Sequence, residues 1–335
     1  MDTTARMSTT NDRGARAQAG STEKGAMAGK GAPAEKKGGG SGKVPSAAEV
    51  IASFRGAPHA MLDVGHSRLA YRKFGAGPDV LFVHGWPFHS ATFRQLIPEL
   101  AGSFTLHLID LPGTGQTESD ESAPISMTGH AETVRKAADV LGLVRYGLIA
   151  FDSGGAVARH VAADDPRVAG LVLGNTEIPG KSSAALVLFF LMLRLGGLRM
   201  LRLALGNRVL RRSPVSLGGC FSDLRCLEGE FHELFVEPLL TSDAAARGQM
   251  KLGNNLDLKD FAKLRAVHAR IQCPTVLIWG AEDPFFPLRH AREMTSQFAG
   301  GAELFAIAGA KLMVHEEHPR AFANHARPLL ESVLG

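Results

Sequence analysis

The sequence predicts an α/β fold, in which a mostly parallel sheet is covered on both faces by helices and a helical segment is inserted between two strands. From about residue 46, short apolar runs alternate with segments of helical spacing. This alternation stops between residues 180 and 266, where no run has the character of a buried strand. We therefore predict a core of residues 46–179 and 267–335 and a helical lid of residues 180–266.

Eight segments have the composition of strands, and five have helical spacing. The first two strands are close enough to form a hairpin, and Ser126 is the predicted N-cap of the second helix. The predicted strands are residues 59–64, 68–74, 80–83, 104–109, 146–151, 168–173, 275–279 and 303–307. The predicted helices are residues 90–100, 127–141, 154–163, 288–298 and 319–334.

Residues 1–45 are predicted to form a disordered, low-complexity basic tail, because they contain almost no bulky apolar side chains. They hold eight basic and four acidic residues, which accounts for the whole net charge of +4. The remainder is formally neutral, so we expect no nucleic-acid partner. The three cysteines cannot make a disulfide framework and lack metal-ligand spacing, so we expect reduced thiols in a cytoplasmic protein.

The beginning of the predicted lid is strongly basic. Residues 181–215 contain seven Lys or Arg and no Asp or Glu, and the apolar run at residues 184–193 is too short to span a bilayer. One interpretation is that the lid faces an anionic ligand or a membrane surface. The other, which the sequence favours, is an amphipathic cap with solvated arginines.

A tight strand-to-helix turn is predicted at residues 150–155 (Ala-Phe-Asp-Ser-Gly-Gly). The backbones crowd at such a turn, so small residues are needed two positions before and two positions after its tip. Asp152 meets this condition with Ala150 and Gly154, whereas Ser153 would put a phenylalanine at a crowded position. We therefore predict Asp152 as a nucleophile at the carboxyl edge of the sheet, in preference to an ordinary helix cap.

With this turn the chain resembles the α/β-hydrolase superfamily, in particular the branch that contains haloalkane dehalogenases and epoxide hydrolases. The resemblance covers about residues 55–335. It rests on residues 84–87 (His-Gly-Trp-Pro), on the turn at Asp152 and on residues 279–284 (Trp-Gly-Ala-Glu-Asp-Pro). It implies an eight-stranded, mostly parallel sheet with an inserted helical lid, a small apolar organic substrate and no cofactor.

In that branch the aspartate attacks an sp³ carbon to form an ester. A histidine held by a second acid then activates the water that hydrolyses the ester. The resemblance implies that the backbone N–H groups of Trp86 and Ser153 form the oxyanion hole and that Asp283 is the orienting acid. Glu177, after the sixth predicted strand, is a second candidate for that acid, and Asp283 is favoured.

The position that the resemblance assigns to the catalytic histidine, seven residues before a proline, is Leu312 in this chain. His315, three residues later, is the first candidate to substitute as the base, and His89 is the second. We expect the general base to be absent. A carboxylate needs no deprotonation to attack, so the ester would still form while its hydrolysis is impaired.

Two further departures concern the leaving group. Ser153 stands where dehalogenases carry a halide-binding tryptophan. Epoxide hydrolases carry their proton-donating tyrosines in the lid, whereas the two tyrosines of this chain lie outside it. We expect a hydrolase with an aspartate nucleophile. The alternative is a non-hydrolytic member of the fold that binds a ligand or catalyses cyclisation, elimination or proton transfer. Serine hydrolysis through Ser153 is disfavoured by the geometry of the turn.

Overall fold

The structure is a computed structural model that describes residues 44–256 and 258–335. The predicted basic tail lies outside these residues except for Val44 and Pro45. One sheet is built from the strands β1 (Ala60–Asp63), β2 (Ser67–Phe74), β3 (Asp79–Val83), β4 (Thr105–Ile109), β5 (Glu118–Ser119), β6 (Tyr146–Ala150), β7 (Val168–Leu173), β8 (Thr275–Gly280) and β9 (Ala302–Ile307).

The sheet has the order β1-β2-β4-β3-β6-β7-β8-β9, and β5 pairs with β2 outside this path. The pairs that involve β1, β5 or the β2–β4 contact are antiparallel, and all the others are parallel. The predicted α/β-hydrolase fold with a mostly parallel sheet is thus confirmed. The structure adds a ninth strand, β5, whose two residues are too few to give a periodic signal.

The register of the sheet brings the candidate site residues to one edge. Ala150 at the end of β6 pairs with Val83 at the end of β3 and with Leu173 at the end of β7. Since these strands are parallel, the loops that follow them emerge side by side. The strand interiors are buried throughout β3, β4, β6, β7 and β8 apart from the first residue of β3, which is why they appear as unbroken apolar runs.

Helices pack on both faces of the sheet or follow its strands. The core helices are α1 (Ala47–Arg55), α2 (Ile97–Leu100), α3 (Met127–Val140), α4 (Asp152–Asp164), α10 (Leu288–Met294), α11 (Val314–Glu317) and α12 (Pro319–Leu334). Ser126 caps α3 as predicted, since its side chain accepts a hydrogen bond from the Gly129 N–H. The helix predicted at residues 90–100 is instead a 3₁₀ turn (Ser90–Phe93) followed by the short α2, and α1 was not predicted.

Between β7 and β8 the residues that the structure describes contain no strand of the sheet. This region holds α5 (Ala184–Gly206), α6 (Arg208–Arg211), α7 (Glu237–Thr241), α8 (Asp243–Asn255) and α9 (Leu258–His268). Gly197 leaves the helical conformation inside α5, with φ 54° and ψ −151°. Among the described residues no single helix has the length and apolar content needed to cross a membrane. The segments Ala184–Met192 and Arg194–Gly206 reach that limit only as a pair bent by 91°.

Candidate active site

Asp152 occupies the tip of the turn between β6 and α4. Its φ of 49° is the one positive value among the described residues other than glycine, and such a conformation is costly for a side chain with a Cβ. A Cβ added to Gly154 would lie 2.3 Å from the carbonyl oxygen of His84 and 2.4 Å from that of Val83. The structure therefore has the backbone crowding that requires a small residue two positions after the tip of the turn, which was the reason for predicting Asp152 as that tip.

Replacing Gly154 with alanine is expected to destabilise the protein by about 3 kcal/mol, because the new methyl group meets backbone atoms of β3 that cannot move aside. Gly56→Ala is the matched control. Gly56 has a φ of −90°, and its nearest neighbour to a new Cβ is 3.4 Å away. Urea denaturation of both variants measures the difference, and equal midpoints would contradict the assigned crowding.

The Asp152 carboxyl group is held in a polar niche at the floor of an apolar cavity. Backbone N–H groups of Ser153 and Trp86 act on it and lower its pKa, as expected of an oxyanion hole. Burial and the neighbouring carboxylates of Glu177 and Asp283 have the larger effect, so the pKa of Asp152 lies well above its ordinary value of 3.8. The group therefore keeps a proton to a higher pH than an exposed aspartate.

Ser153 holds the loop that follows β3. Its Oγ accepts the Trp86 N–H at 2.9 Å and lies 3.5 Å from Oδ2 of Asp152. The cavity is lined by Asp152 and not by Ser153. A substrate in the cavity would therefore meet the carboxyl group of Asp152 and not the hydroxyl group of Ser153.

The cavity has a volume of about 210 Å³ and lies between the carboxyl edge of the sheet and a wall formed by α5, α6 and residues 213–220. Its lining is overwhelmingly apolar. Asp152 and Glu177 are the two carboxylic acids among the described lining residues, and none of those residues is a histidine. Leu312 is one of them, so the residue at the predicted base position does face the cavity.

Glu177, just past the end of β7, is buried beside a buried arginine. Its Oε2 lies 2.8 Å from Oγ1 of Thr176 and 3.7 Å from a guanidinium nitrogen of Arg159. Burial raises the pKa of Glu177, and the charge of Arg159 opposes that rise. Two acid groups, Asp152 and Glu177, therefore share one apolar cavity, and the negative charge of Glu177 makes Asp152 harder to ionise.

Asp283 lies in the loop after β8 and is held by the neighbouring loop. Asn175 donates to Oδ2 at 2.6 Å, and the Phe285 N–H donates to Oδ1 at 2.7 Å. Burial raises the pKa of Asp283 to about 6. The Asn175 carbonyl also accepts the Asp152 N–H at 2.7 Å, so one residue links Asp283 to the turn. No histidine bonds to Asp283 among the described residues.

His315 lies away from the cavity. Its Nε2 is 3.0 Å from Oγ1 of Thr92, and its ring centroid is 4.0 Å from that of Phe151. Complete burial near Arg94 lowers its pKa to about 3. The placement gives no support to His315 as the base, because its ring packs on Phe151 and Thr92 and does not line the cavity.

His89, the second candidate, is also turned elsewhere. Its Nε2 lies 3.0 Å from the carbonyl oxygen of Leu234 and its Nδ1 lies 4.0 Å from Asp110. His84 accepts the Leu111 N–H through Nε2 at 3.0 Å, so it holds the loop after β4 in place.

Both tryptophans donate their indole N–H groups to backbone carbonyls. Trp86 bonds to Gln249 at 2.7 Å and Trp279 bonds to Phe286 at 2.8 Å. Both indole N–H groups are therefore engaged within the protein.

Sequence reasoning missed two residues of the site. Cys220 lines the cavity, and burial together with the charges of Asp283 and Asp152 raises the pKa of its thiol well above 9.0. Arg159 is fully buried and bonds to the carbonyls of Gly155 and Glu177. Neither residue belongs to a local motif, so no sequence signal could have placed them there.

Comparison with known proteins agrees with this geometry at the level of fold and family. A family model described as alpha/beta hydrolase fold matches residues 78–319. A pimeloyl-[acyl-carrier protein] methyl ester esterase of Chromobacterium violaceum is 29% identical over 75% of this chain and 95% of its own length. An uncharacterized hydrolase of Saccharomyces cerevisiae is 38% identical over 31% of this chain, a match that spans only 37% of the yeast protein.

Solved structures of similar fold include esterases, lipases and haloalkane dehalogenases. The haloalkane dehalogenase DbeA of Bradyrhizobium elkani aligns with a TM-score of 0.68 and 23% identity, and covers 82% of this chain and 97% of its own. At this identity the likeness establishes the fold alone. Six further curated matches, to pimeloyl-[acyl-carrier protein] methyl ester esterases, span 36–37% of those proteins.

Proposed function

This chain belongs to the α/β-hydrolase fold family, and from that premise we propose that its Asp152 carboxylate attacks an sp³ carbon and forms an alkyl ester on the protein. The new O–C bond forms as the bond from carbon to the leaving group breaks, and the leaving group departs with the electron pair. The observation that carries the proposal is the position of Asp152. It stands at the strained tip of the turn and is the residue of that turn that faces the cavity.

Hydrolysis of the ester is proposed to be the slow step. Leu312 lines the cavity at the position that the resemblance gives to the general base, and an isobutyl group cannot accept a proton from water. Loss of general-base assistance costs on the order of 10²–10⁴ in rate. The protein is therefore expected to accumulate as an ester and to turn over slowly.

The substrate is proposed to be small and apolar, because the cavity wall is formed by aliphatic and aromatic side chains. An epoxide fits the polar groups better than an alkyl halide. The indole N–H groups of Trp86 and Trp279 are engaged elsewhere, so halide stabilisation is weak. Glu177 can instead supply a proton to the epoxide oxygen as the C–O bond breaks, in the protonation state in which Glu177 is neutral and Asp152 is ionised.

Intact-protein mass spectrometry after incubation with an alkyl bromide and with a terminal epoxide tests the proposal. One added alkyl group is expected in the parent protein and none in Asp152→Asn. Cys220 is a rival nucleophile in the same cavity, so the comparison is made in a Cys220→Ala background. In that background, an adduct formed to the same extent with and without Asp152→Asn would refute the assignment.

A second candidate function is ligand binding or proton transfer without an ester. It is favoured by the acid pair itself, since Asp152 and Glu177 both have raised pKa values and can hold a proton at an apolar cavity. The absence of any adduct in both the parent protein and Leu312→His, with both correctly folded, would favour this function over the first.

A further inference from the structure

The outer face of the lid exposes an unusual amount of apolar surface. Twelve large hydrophobic side chains are exposed in the described residues, and nine of them lie between residues 187 and 215. Leu195 is 80% exposed and Val209 is 79% exposed. We name the exposed apolar side chains of residues 187–215 the lid patch. A contiguous stretch of this kind on a protein surface marks an interaction site.

Part of the lid patch also lines the cavity. Met200, Leu210 and Val215 are exposed and also line the cavity, so they contact both the solvent and the cavity. The buried side chains of the same helix, such as Leu201 and Leu205, line the cavity from within. A molecule that dissolves in an apolar phase against the lid patch can thus reach Asp152 without crossing water.

Positive charge accompanies the apolar surface. Arg194, Arg199 and Arg208 are exposed among the patch residues. Arg208 shares Glu228 with Arg211 and Arg212, which leaves that cluster with a net positive charge. There is no acidic residue between positions 181 and 215. Apolar side chains flanked by arginines match the boundary between the headgroups and acyl chains of an anionic bilayer.

We propose that the lid patch docks on the surface of an anionic phospholipid bilayer, with its apolar side chains in the headgroup–acyl boundary and its arginines on lipid phosphates. The cavity then draws its ligand from the lipid phase. The sequence favoured an amphipathic cap with solvated arginines. That interpretation does not account for the exposed apolar side chains of the lid patch, which the structure shows. The proposal does not depend on ester formation at Asp152.

Co-sedimentation of the full chain with vesicles tests this docking. The vesicles are phosphatidylcholine alone or an equimolar mixture of phosphatidylcholine and phosphatidylglycerol. Leu195→Glu is expected to weaken binding to the mixed vesicles about tenfold. Val144→Glu is the matched control, because Val144 is 78% exposed but lies outside the lid, and the parent affinity is expected for it. Equal binding of the two variants would overturn the proposal, since the basic tail would then carry the attraction.

The charge requirement is tested separately. The double variant Arg194→Gln/Arg199→Gln is expected to lose roughly tenfold in affinity for the mixed vesicles and nothing for phosphatidylcholine. Arg68→Gln/Arg320→Gln changes the net charge equally on β2 and α12 and is expected to bind like the parent. If the parent fails to bind vesicles and Leu195→Glu instead dissociates a dimer in light scattering, the patch is a contact between two copies and the docking proposal is wrong.

Discussion

Leu312→His is expected to turn a protein that is alkylated once into one that releases product repeatedly. The loop that carries residue 312 packs against the end of β8, where the Glu282 N–H bonds to the Ala310 carbonyl at 2.9 Å. An imidazole at position 312 would enter the cavity that Asp152 faces, with the buried Asp283 in the adjoining loop. Burial raises the pKa of Asp283 to about 6, and a buried carboxylate in this position is suited to orient and stabilise an imidazolium.

The measurement is the decay of the alkyl adduct after excess reagent is removed, followed by intact mass. General-base assistance predicts that hydrolysis accelerates by on the order of 10²–10⁴ in Leu312→His. Leu312→Gln is the matched control, because glutamine brings polarity and hydrogen bonding but cannot take a proton. Adding Asp283→Asn to Leu312→His should remove most of the gain. Equal decay in the histidine and glutamine variants would contradict the assignment of position 312.

The sequence was sufficient for those parts of the molecule that depend on neighbours in the chain. Strands β3, β6 and β7 are buried on both faces, and their apolar runs mark them within a residue of their observed bounds. The turn at Asp152 was also predictable, because the crowding acts on residues two positions away. The helix α1 was missed although its capping box, Ser46 with Glu49, is present in the sequence.

Features that depend on distant segments could not be predicted. The pairing of Arg159 with Glu177 joins α4 to the loop after β7, and the engagement of the Trp86 indole joins the oxyanion loop to α8. Periodicity also assigned the apolar side chains of α5 to a buried face. A kinked helix at the edge of a cavity has apolar contacts on one side only, and the exposure of Leu195 follows from that position.

The rate of alkylation of Asp152 by an alkyl bromide is expected to rise with pH well beyond the range in which an ordinary aspartate has ionised. Only the carboxylate form attacks, and burial and the charge of Glu177 raise the pKa of Asp152 far above 3.8. On the rising part of the profile each pH unit changes the carboxylate fraction about tenfold. The measurement is the rate of adduct formation across a pH series in the Cys220→Ala background, with Asp152→Asn as the blank.

Glu177→Gln separates the two roles of the acid pair. Removing the charge of Glu177 lowers the pKa of Asp152, so the profile moves to lower pH and the bromide reacts several-fold faster at neutral pH. Arg159 keeps its bonds to the carbonyls of Gly155 and residue 177, so the fold should survive. The exposed Glu282 is the control, and Glu282→Gln should leave the profile unchanged.

The same variant should affect an epoxide in the opposite direction. Ring opening needs a proton for the departing oxygen, and a glutamine amide cannot supply one, so the gain in carboxylate is opposed by loss of the acid. A faster bromide reaction with a slower epoxide reaction would identify Glu177 as the proton donor. Equal acceleration of both would limit Glu177 to an electrostatic effect on Asp152. An unchanged bromide profile would mean that the two carboxyl groups do not interact, and the acid pair would lose its role in the proposed chemistry.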